Sequence, residues 1–436
     1  MKILWLCHFL PYPPAGGARQ RSYHLLRVAA RTHEVHLVAL DNPALDHGAT
    51  TPADAVRALS DNCASVTAFR SRCGSSRLRW MLMAAGAFFR TTPYDVQWLW
   101  QPDMDRFLRA LAPRQGFDVV HVDTLGLMPY HVAASGVPIV LNHHNVESQM
   151  THRRAAVERS LLRRVYLRRD ARKLEEYERT ACRRAAVNVA VSSLDAERLQ
   201  AVVGGADTVV VQNGVDLEYF RPRPSTPQEP ASLVFVGSMN WYPNRDAMRY
   251  FLNDVWPLLL ADRPDRRLSI VGGDPPPEVR MATRDSRVRV PGFVDDVRTY
   301  IAAAATYVCP IRDGGGTRLK VLDALAMGKP LVATALAVEG LGLAEDVHYL
   351  RAETPSDYVR QIRRLETEPA LRDRLCESGR RFVEQHYSWE AIGQNLLYAY
   401  DVAMSKSSEP TRTVSAARAQ ESPAQAGHGR PGAPGR

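Results

Sequence analysis

Short apolar runs alternate with longer stretches of helical spacing along most of the chain. Ile3–Cys7, Glu34–Leu40, Phe117–Val122, Pro138–Asn142, Val187–Val191 and Thr208–Gln212 read as strands. These runs are apolar throughout rather than alternating, which suits strands covered on both faces and predicts parallel sheets between helices. The strongly charged stretch Met150–Arg184 has helical spacing and predicts one long helix or two. Between Arg221 and Pro230 four prolines fall in ten residues, a texture that disfavours regular structure and suits a linker. A second alternation follows, with strands expected at Leu233–Val236, Leu268–Val271, Val288–Val290, Thr306–Pro310, Pro330–Ala333 and His348–Leu350. The pattern predicts two α/β halves, each a doubly wound parallel sheet, facing each other across a cleft at the carboxyl ends of their strands.

The ends and one interior run need separate readings. Met1–His8 has a short apolar core broken by His8 and no small-residue cleavage pattern, so it reads as a first buried strand. From Ser405 onward the chain is mostly Ser, Ala, Gly, Pro and Arg, which predicts a disordered tail. The longest apolar run, Trp80–Phe89, is fenced by Arg79 and Arg90. It is too short to span a bilayer, which takes about 20 residues. It reads as a buried helix, with contact to a membrane surface as the alternative.

Composition narrows the class further. With 45% hydrophobic and 24% charged residues the 436-residue chain is of ordinary globular make-up, which excludes a fibrous or mainly disordered protein. The formal charge of +9 favours anionic partners such as phosphorylated substrates or acidic lipids. Nucleic acid is suggested by charge alone, and no aromatic-interleaved basic motif supports it. The six cysteines are scattered, form no CxxC pair and have no zinc spacing, which fits a reducing cytosol.

Four segments at expected strand ends could carry chemistry. Gly16-Gly17 lets backbone approach a ligand just before a helix whose first amides are free for an anion. His143-His144-Asn145-Val146-Glu147-Ser148 is polar where packing would want apolar residues, and a histidine there can bond a substrate or move a proton. Gly237-Ser238 leads through Pro243-Asn244 into another helix. Most telling is Gly314-Gly315-Gly316-Thr317-Arg318-Leu319-Lys320, where three glycines open a helix beside a hydroxyl and two cations. Such a convergence suits a diphosphate, although the run departs from GxxxxGK[ST]. Asp323 lies less than two turns beyond Thr317 and could reach sugar hydroxyls.

Together these residues resemble the family 4 glycosyltransferases, retaining enzymes of the GT-B fold. The resemblance covers residues 1 to about 402. It rests on the Gly16-Gly17 loop, His144-Asn145-Val146-Glu147-Ser148, Asn213-Gly214-Val215-Asp216, Phe235-Val236-Gly237-Ser238, Pro291-Gly292-Phe293-Val294-Asp295-Asp296, the Gly314–Pro330 segment, Glu339-Gly340-Leu341 and Tyr387-Ser388-Trp389-Glu390. The Gly-Gly-Gly-Thr-Arg-Leu-Lys version looks like the branch found in bacterial exopolysaccharide and cell-surface glycan assembly.

The resemblance implies an N-terminal Rossmann-like acceptor-side domain over 1–220, a linker over 221–230, and a C-terminal nucleotide-sugar domain over 231–387. A helix over 388–404 would cross back to the first domain, before a tail over 405–436. It implies a hexosyltransferase that moves a sugar from a nucleotide-sugar co-substrate, with retention, to a glycan or lipid-linked acceptor. The work would be done in the cytoplasm, with peripheral contact to the inner membrane face. Neither a metal nor another cofactor is expected.

His144 would touch the transferred sugar, and Arg318 and Lys320 would neutralise the leaving diphosphate. Gly16, Gly17, Gly237, Ser238, Phe293, Gly314, Gly315, Gly316, Thr317 and Asp323 would bind the donor. Two rival readings remain: a degenerate transferase that only binds sugar nucleotide or a partner protein, and a nucleotide-sugar epimerase of the same fold. Three departures from the family pattern stand out. Gly315 replaces the first glutamate of Glu-x7-Glu, Asp323 replaces the second, and the cations after the Val-Gly strand end give way to Ser238 and Pro243.

Overall fold

The computed structural model describes residues 1–14, 16–42, 50–71, 77–130 and 136–408. The expected disordered tail lies mostly outside the described residues. The first sheet has seven parallel strands: β1 Lys2–Cys7, β2 Glu34–Asp41, β3 Ser65–Arg70, β4 Val119–Val122, β5 Ile139–Asn142, β6 Val187–Ala190 and β7 Thr208–Val210, in the order β3-β2-β1-β4-β5-β6-β7. The second has six: β8 Ser232–Val236, β9 Arg267–Val271, β10 Val288–Gly292, β11 Thr306–Cys309, β12 Leu331–Ala333 and β13 Leu350–Arg351, in the order β10-β9-β8-β11-β12-β13. Every pairing within them is parallel. Both orders reverse direction beside their first strand, between β1 and β4 and between β8 and β11. A crevice opens at such a switch point because the two crossovers leave on opposite faces.

The structure adds one strand to the sequence reading. Edge strand β3 runs Ser-Val-Thr-Ala-Phe-Arg and is half exposed, so it lacks the continuous apolar signature of the buried strands. The charged stretch 150–184 belongs to two helices, Glu147–Val157 and Leu161–Arg184. The run around residue 80 forms the helix Arg77–Phe89, but it is not the buried helix that its composition predicts. Leu82 is 65% exposed and Phe89 80%.

Apolar cores lie on each side of the first sheet, and a third fills the second domain. The last helix, Trp389–Ser408, packs on the helix Gly17–Ala30. Its Trp389, Ile392, Leu396 and Tyr400 are buried with β1 and β2 in the first domain's core. The chain thus crosses between the lobes twice, and the crossing helix fastens the second lobe to the first.

Candidate active site

The cleft is built around residues 314–319, where four helix starts meet. In the second domain, Leu319–Ala326 begins directly after the glycine run, and Tyr242–Tyr250 begins against it. A side chain on Gly314 would lie 3.0 Å from Pro243 and 3.3 Å from Trp241. From the first domain come the starts of Gly17–Ala30 and Glu147–Val157. A Cβ on Gly17 would lie 3.2 Å from Leu319. A Cβ on Gly316, whose φ is +67°, would lie 2.6 Å from the His144 carbonyl oxygen and 2.7 Å from Asn145 Oδ1. The His144-Asn145 turn and the glycine run therefore share one hollow. The starts of Gly17–Ala30, Tyr242–Tyr250 and Leu319–Ala326 have no side-chain cap and offer N–H groups and a positive dipole end that favour an anion, whereas the Glu147 and Ser148 amides at the fourth already donate to the Glu178 carboxylate.

The glycines have a steric reason. Gly315, which stands where the family has a glutamate, faces Asn145 Oδ1 at 3.3 Å from its would-be Cβ. A side chain at 315 would press on the Asn145 side chain of the opposite lobe, which would have to give by a few tenths of an ångström. Asn213 Nδ2 donates to Thr317 Oγ1 at 2.6 Å across the same seam. Arg198 grips Glu339 with two bonds of 3.0 and 2.8 Å, and Arg153 donates to the Gly314 carbonyl at 3.3 Å. These contacts tie the lobes on either side of the hollow.

The cations divide into two kinds. Arg318 is 3% exposed and turned inward. Its guanidinium donates to the Gly314 and Gly316 carbonyls, so here it braces the loop instead of standing free in the cleft. Lys320 reaches back to the end of β8. Its Nζ donates to Asn244 Oδ1 at 2.5 Å and lies 4.5 Å over the Phe235 ring. A Cβ on Gly237 would come within 2.4 Å of that nitrogen. Lys320 thus brings a cation to the strand end where Ser238 and Pro243 have replaced the family's basic residues. Burial lowers it to about 8.

Asp323 follows on the same helix and is almost buried. Burial raises its carboxyl well above the ordinary range, opposed by a bond from Gln20 and the Lys320 charge. Its Oδ1 has no partner. Ser238 accepts from Asn244 Nδ2 at 2.6 Å through its carbonyl. Phe293 stands farther out, 38% exposed just after β10, two strands from Gly237. Gly16, at φ +88°, precedes the first helix with open space beside it.

The switch point of the first sheet carries residues that no sequence motif singles out. Asp123, at the end of β4, is 1% exposed and lies 3.4 Å from His144 Nε2. Its burial partner His8 follows β1 and is held neutral by burial, at about 3. Cys7, His8 and Asp123 have potential ligand atoms within 4.8 Å of one another. The chemistry nevertheless fits a hydrogen-bonded carboxylate better than a cation site. Cys7 Sγ and Ser22 Oγ both donate to Asp123, and burial drives the Cys7 thiol's pKa well up, away from the thiolate that metals need. Only a three-dimensional view joins the ends of β1 and β4 to residue 144.

Two family models cover most of the chain. One, described as "Glycosyltransferase Family 4", matches residues 15–219, and the other, "Glycosyl transferases group 1", matches residues 230–368. The chain belongs to the family 4-type glycosyltransferases. Among curated relatives, the phosphatidyl-myo-inositol mannosyltransferase of Mycolicibacterium smegmatis is 32% identical over 34% of this chain and 39% of its own length. That of Mycobacterium tuberculosis is 28% identical over 49% of this chain and 58% of its own. The matches thus span well under two thirds of those enzymes. The MMP alpha-(1->4)-mannosyltransferase of Mycolicibacterium hassiacum is 25% identical over 69% of this chain and 74% of its own. Sucrose-phosphate synthase from Thermosynechococcus elongatus superposes with a TM-score of 0.67 at 18% identity, covering 93% of this chain and 100% of that one. HepE from Anabaena, solved with UDP, gives 0.61 at 15% over 92% of this chain and 100% of its own. These neighbours fix the fold as GT-B.

The close approach of Gly316 to the opposite lobe makes a direct prediction. Gly316→Ala should destabilise the protein by about 1–3 kcal/mol, from overpacking together with a strained positive φ. Urea unfolding reads this, and an unchanged midpoint would mean that the lobes do not meet there.

Proposed function

We propose that the chain transfers a sugar from a nucleotide-diphosphate donor to a glycan or lipid-linked acceptor. The observation that carries this reading is the convergence of three uncapped helix starts, Gly17–Ala30 from the first lobe and Tyr242–Tyr250 and Leu319–Ala326 from the second, on the 314–319 run beside His144 and Lys320. An anionic diphosphate would sit where those amides and the Lys320 charge point, and the developing charge on the leaving group would be stabilised there. Asp323 would take ribose hydroxyls, and Phe293 would border the base. Transfer proceeds with retention. The acceptor oxygen attacks the anomeric carbon on the face that the diphosphate leaves, the carbon–phosphate-oxygen bond breaks, and the acceptor's proton passes to the departing phosphate oxygen. The nucleoside diphosphate is released, and no metal is used. The family matches and the mannosyltransferase relatives favour this over a binding-only protein or an epimerase.

The acceptor side suggests a location in the cytoplasm, peripheral on an acidic membrane face, with a role in cell-surface polysaccharide synthesis. No described helix is long and apolar enough to cross a membrane. Phe89, Leu82, Leu161, Leu162 and Val165 are all exposed, on two helices joined by Arg169 and Lys173, which donate to the Phe88 and Ala87 carbonyls. Arg159, Arg163, Arg168 and Arg172 are exposed around them and have no acidic partner among the described residues. Apolar side chains flanked by free arginines match the boundary of an anionic bilayer. The helix Glu147–Val157 runs from the His144 turn to this corner, so docking there would bring the cleft to lipid-linked acceptors.

Thermal shift across a panel of UDP-, GDP-, ADP- and dTDP-sugars should single out one base. A ligand at 100 times its Kd stabilises by about 2.7 kcal/mol, and silence across the panel would sink the transferase reading. Lys320→Ala should weaken the nucleoside diphosphate at least about tenfold more than the nucleoside, as befits a charge-assisted phosphate contact. Equal losses would remove Lys320 from the phosphates. In flotation assays the protein should bind phosphatidylglycerol vesicles and ignore phosphatidylcholine ones, and Phe89→Ser with Leu162→Ser should abolish the binding. Binding that is indifferent to lipid charge, or to those changes, would refute the docking surface.

A further inference from the structure

Asp123 holds together a buried polar network that joins the end of β1, the helix Gly17–Ala30, the end of β5 and Asn213. Its Oδ2 accepts from Ser22 Oγ at 2.8 Å and Cys7 Sγ at 3.2 Å, and its Oδ1 accepts from Asn142 Nδ2 at 3.1 Å. Asn142 Oδ1 in turn accepts from Arg21 Nη2 at 2.8 Å, and Arg21 Nη1 donates to Asn213 Oδ1 at 3.0 Å. Asn213 is the residue that bonds Thr317 in the glycine run. The network therefore runs unbroken from the donor loop of one lobe to the carboxylate at the switch point of the other.

Three imidazoles face that carboxylate. His144 Nε2 lies 3.4 Å from Oδ2, His8 Nδ1 3.8 Å from Oδ2, and His121 Nε2 3.8 Å from Oδ1. All three nitrogens are buried, and none makes a hydrogen bond of ordinary geometry, the carboxylate included. An ionised carboxylate only accepts hydrogen bonds, so a nitrogen turned to it is favoured in its N–H form, and His144, at 3.4 Å, stands nearest to bonding distance. His121 fits this independently. Its Nδ1 meets the Tyr400 hydroxyl at 3.0 Å, and a hydroxyl donating there leaves the proton on Nε2. Burial alone would favour a neutral Asp123, but the surrounding imidazoles, His144 first, keep its carboxyl well below the usual range.

We propose that Asp123 is a positioning residue, whose carboxylate holds His144 in the Nε2–H tautomer and turns the Nδ1 lone pair toward a hydroxyl of the bound sugar. The proposal rests on the donor reading above, and it also explains why a charge is kept so deeply buried beside the cleft. The nitrogen that carries the proton on a histidine is set by the partner of its other nitrogen. A fixed tautomer presents a hydrogen-bond acceptor to substrate without any reorganisation at the moment of reaction.

The test uses the full chain labelled with 15N-histidine, with the His144 signals assigned by their loss in His144→Gln. At neutral pH the wild type should show His144 as Nε2–H. In Asp123→Asn the amide N–H2 faces His144 and donates to Nε2, so the ring should switch to Nδ1–H, the minor form of a free histidine. A wild-type His144 in the Nδ1–H form overturns the proposal without any variant, and so does a tautomer that Asp123→Asn leaves unchanged. These spectra need no donor, so they stand even if the nucleotide-sugar panel is silent. With a donor in hand, Asp123→Asn should lower kcat about 100-fold, the scale of losing one preorganised hydrogen bond to the transition state, with KM within about threefold. In a His144→Ala background the same change should cost less than about twofold. An undiminished loss in that background would show that Asp123 acts through something other than His144.

Discussion

The structure depends on one close approach. The His144-Asn145 turn of the first lobe lies so near Gly316 of the second that a Cβ there would meet the His144 carbonyl, and the Asn145 side chain stands close against Gly315. This contact brings the helix starts of the two lobes together. At Gly316 it is made with backbone and has little room for adjustment, and ion pairs such as Arg198–Glu339 reinforce it at the rim without setting it. The helix that returns from the second lobe to pack on Gly17–Ala30 limits how far the lobes can part.

Electrostatics then divides the labour between the two sides. The second lobe presents amide N–H groups and Lys320, the equipment for negative charge. The first lobe buries an anion of its own, Asp123, behind the His144 ring. Arg318, which the sequence offers as a free charge, spends its hydrogen bonds on loop carbonyls. Lys320 from the same segment reaches the end of β8, where Ser238 and Pro243 occupy the places of the family's basic residues. Shape and charge are thus re-dealt among neighbouring positions while the anion-favouring character of the hollow is kept.

Much of this was legible in the sequence, and the exceptions have physical causes. The parallel sheets announced themselves through continuous apolar runs, and the glycine-rich segment through the pile-up of glycines, hydroxyl and cations. Strand β3 escaped because a half-exposed edge does not need that apolar run. The Arg77–Phe89 helix was misread because apolar composition reports what a segment could bury, while exposure depends on what packs against it. Asp123 was invisible as a site residue because its importance comes from three histidines that lie 2, 21 and 115 positions away in the chain and meet only at the sheet's switch point. The direction of Arg318 could not be read either, since facing inward or outward leaves the same pattern of residues.

Hydrogen exchange with and without the nucleoside diphosphate that binds shows whether both lobes grip one anionic handle. One ligand should slow exchange together at the start of the helix Gly17–Ala30 and the His144-Asn145 turn in the first lobe and at Tyr242–Tyr250 and residues 314–320 in the second. Protection confined to a single lobe, or absent from the glycine run, would contradict the shared grip.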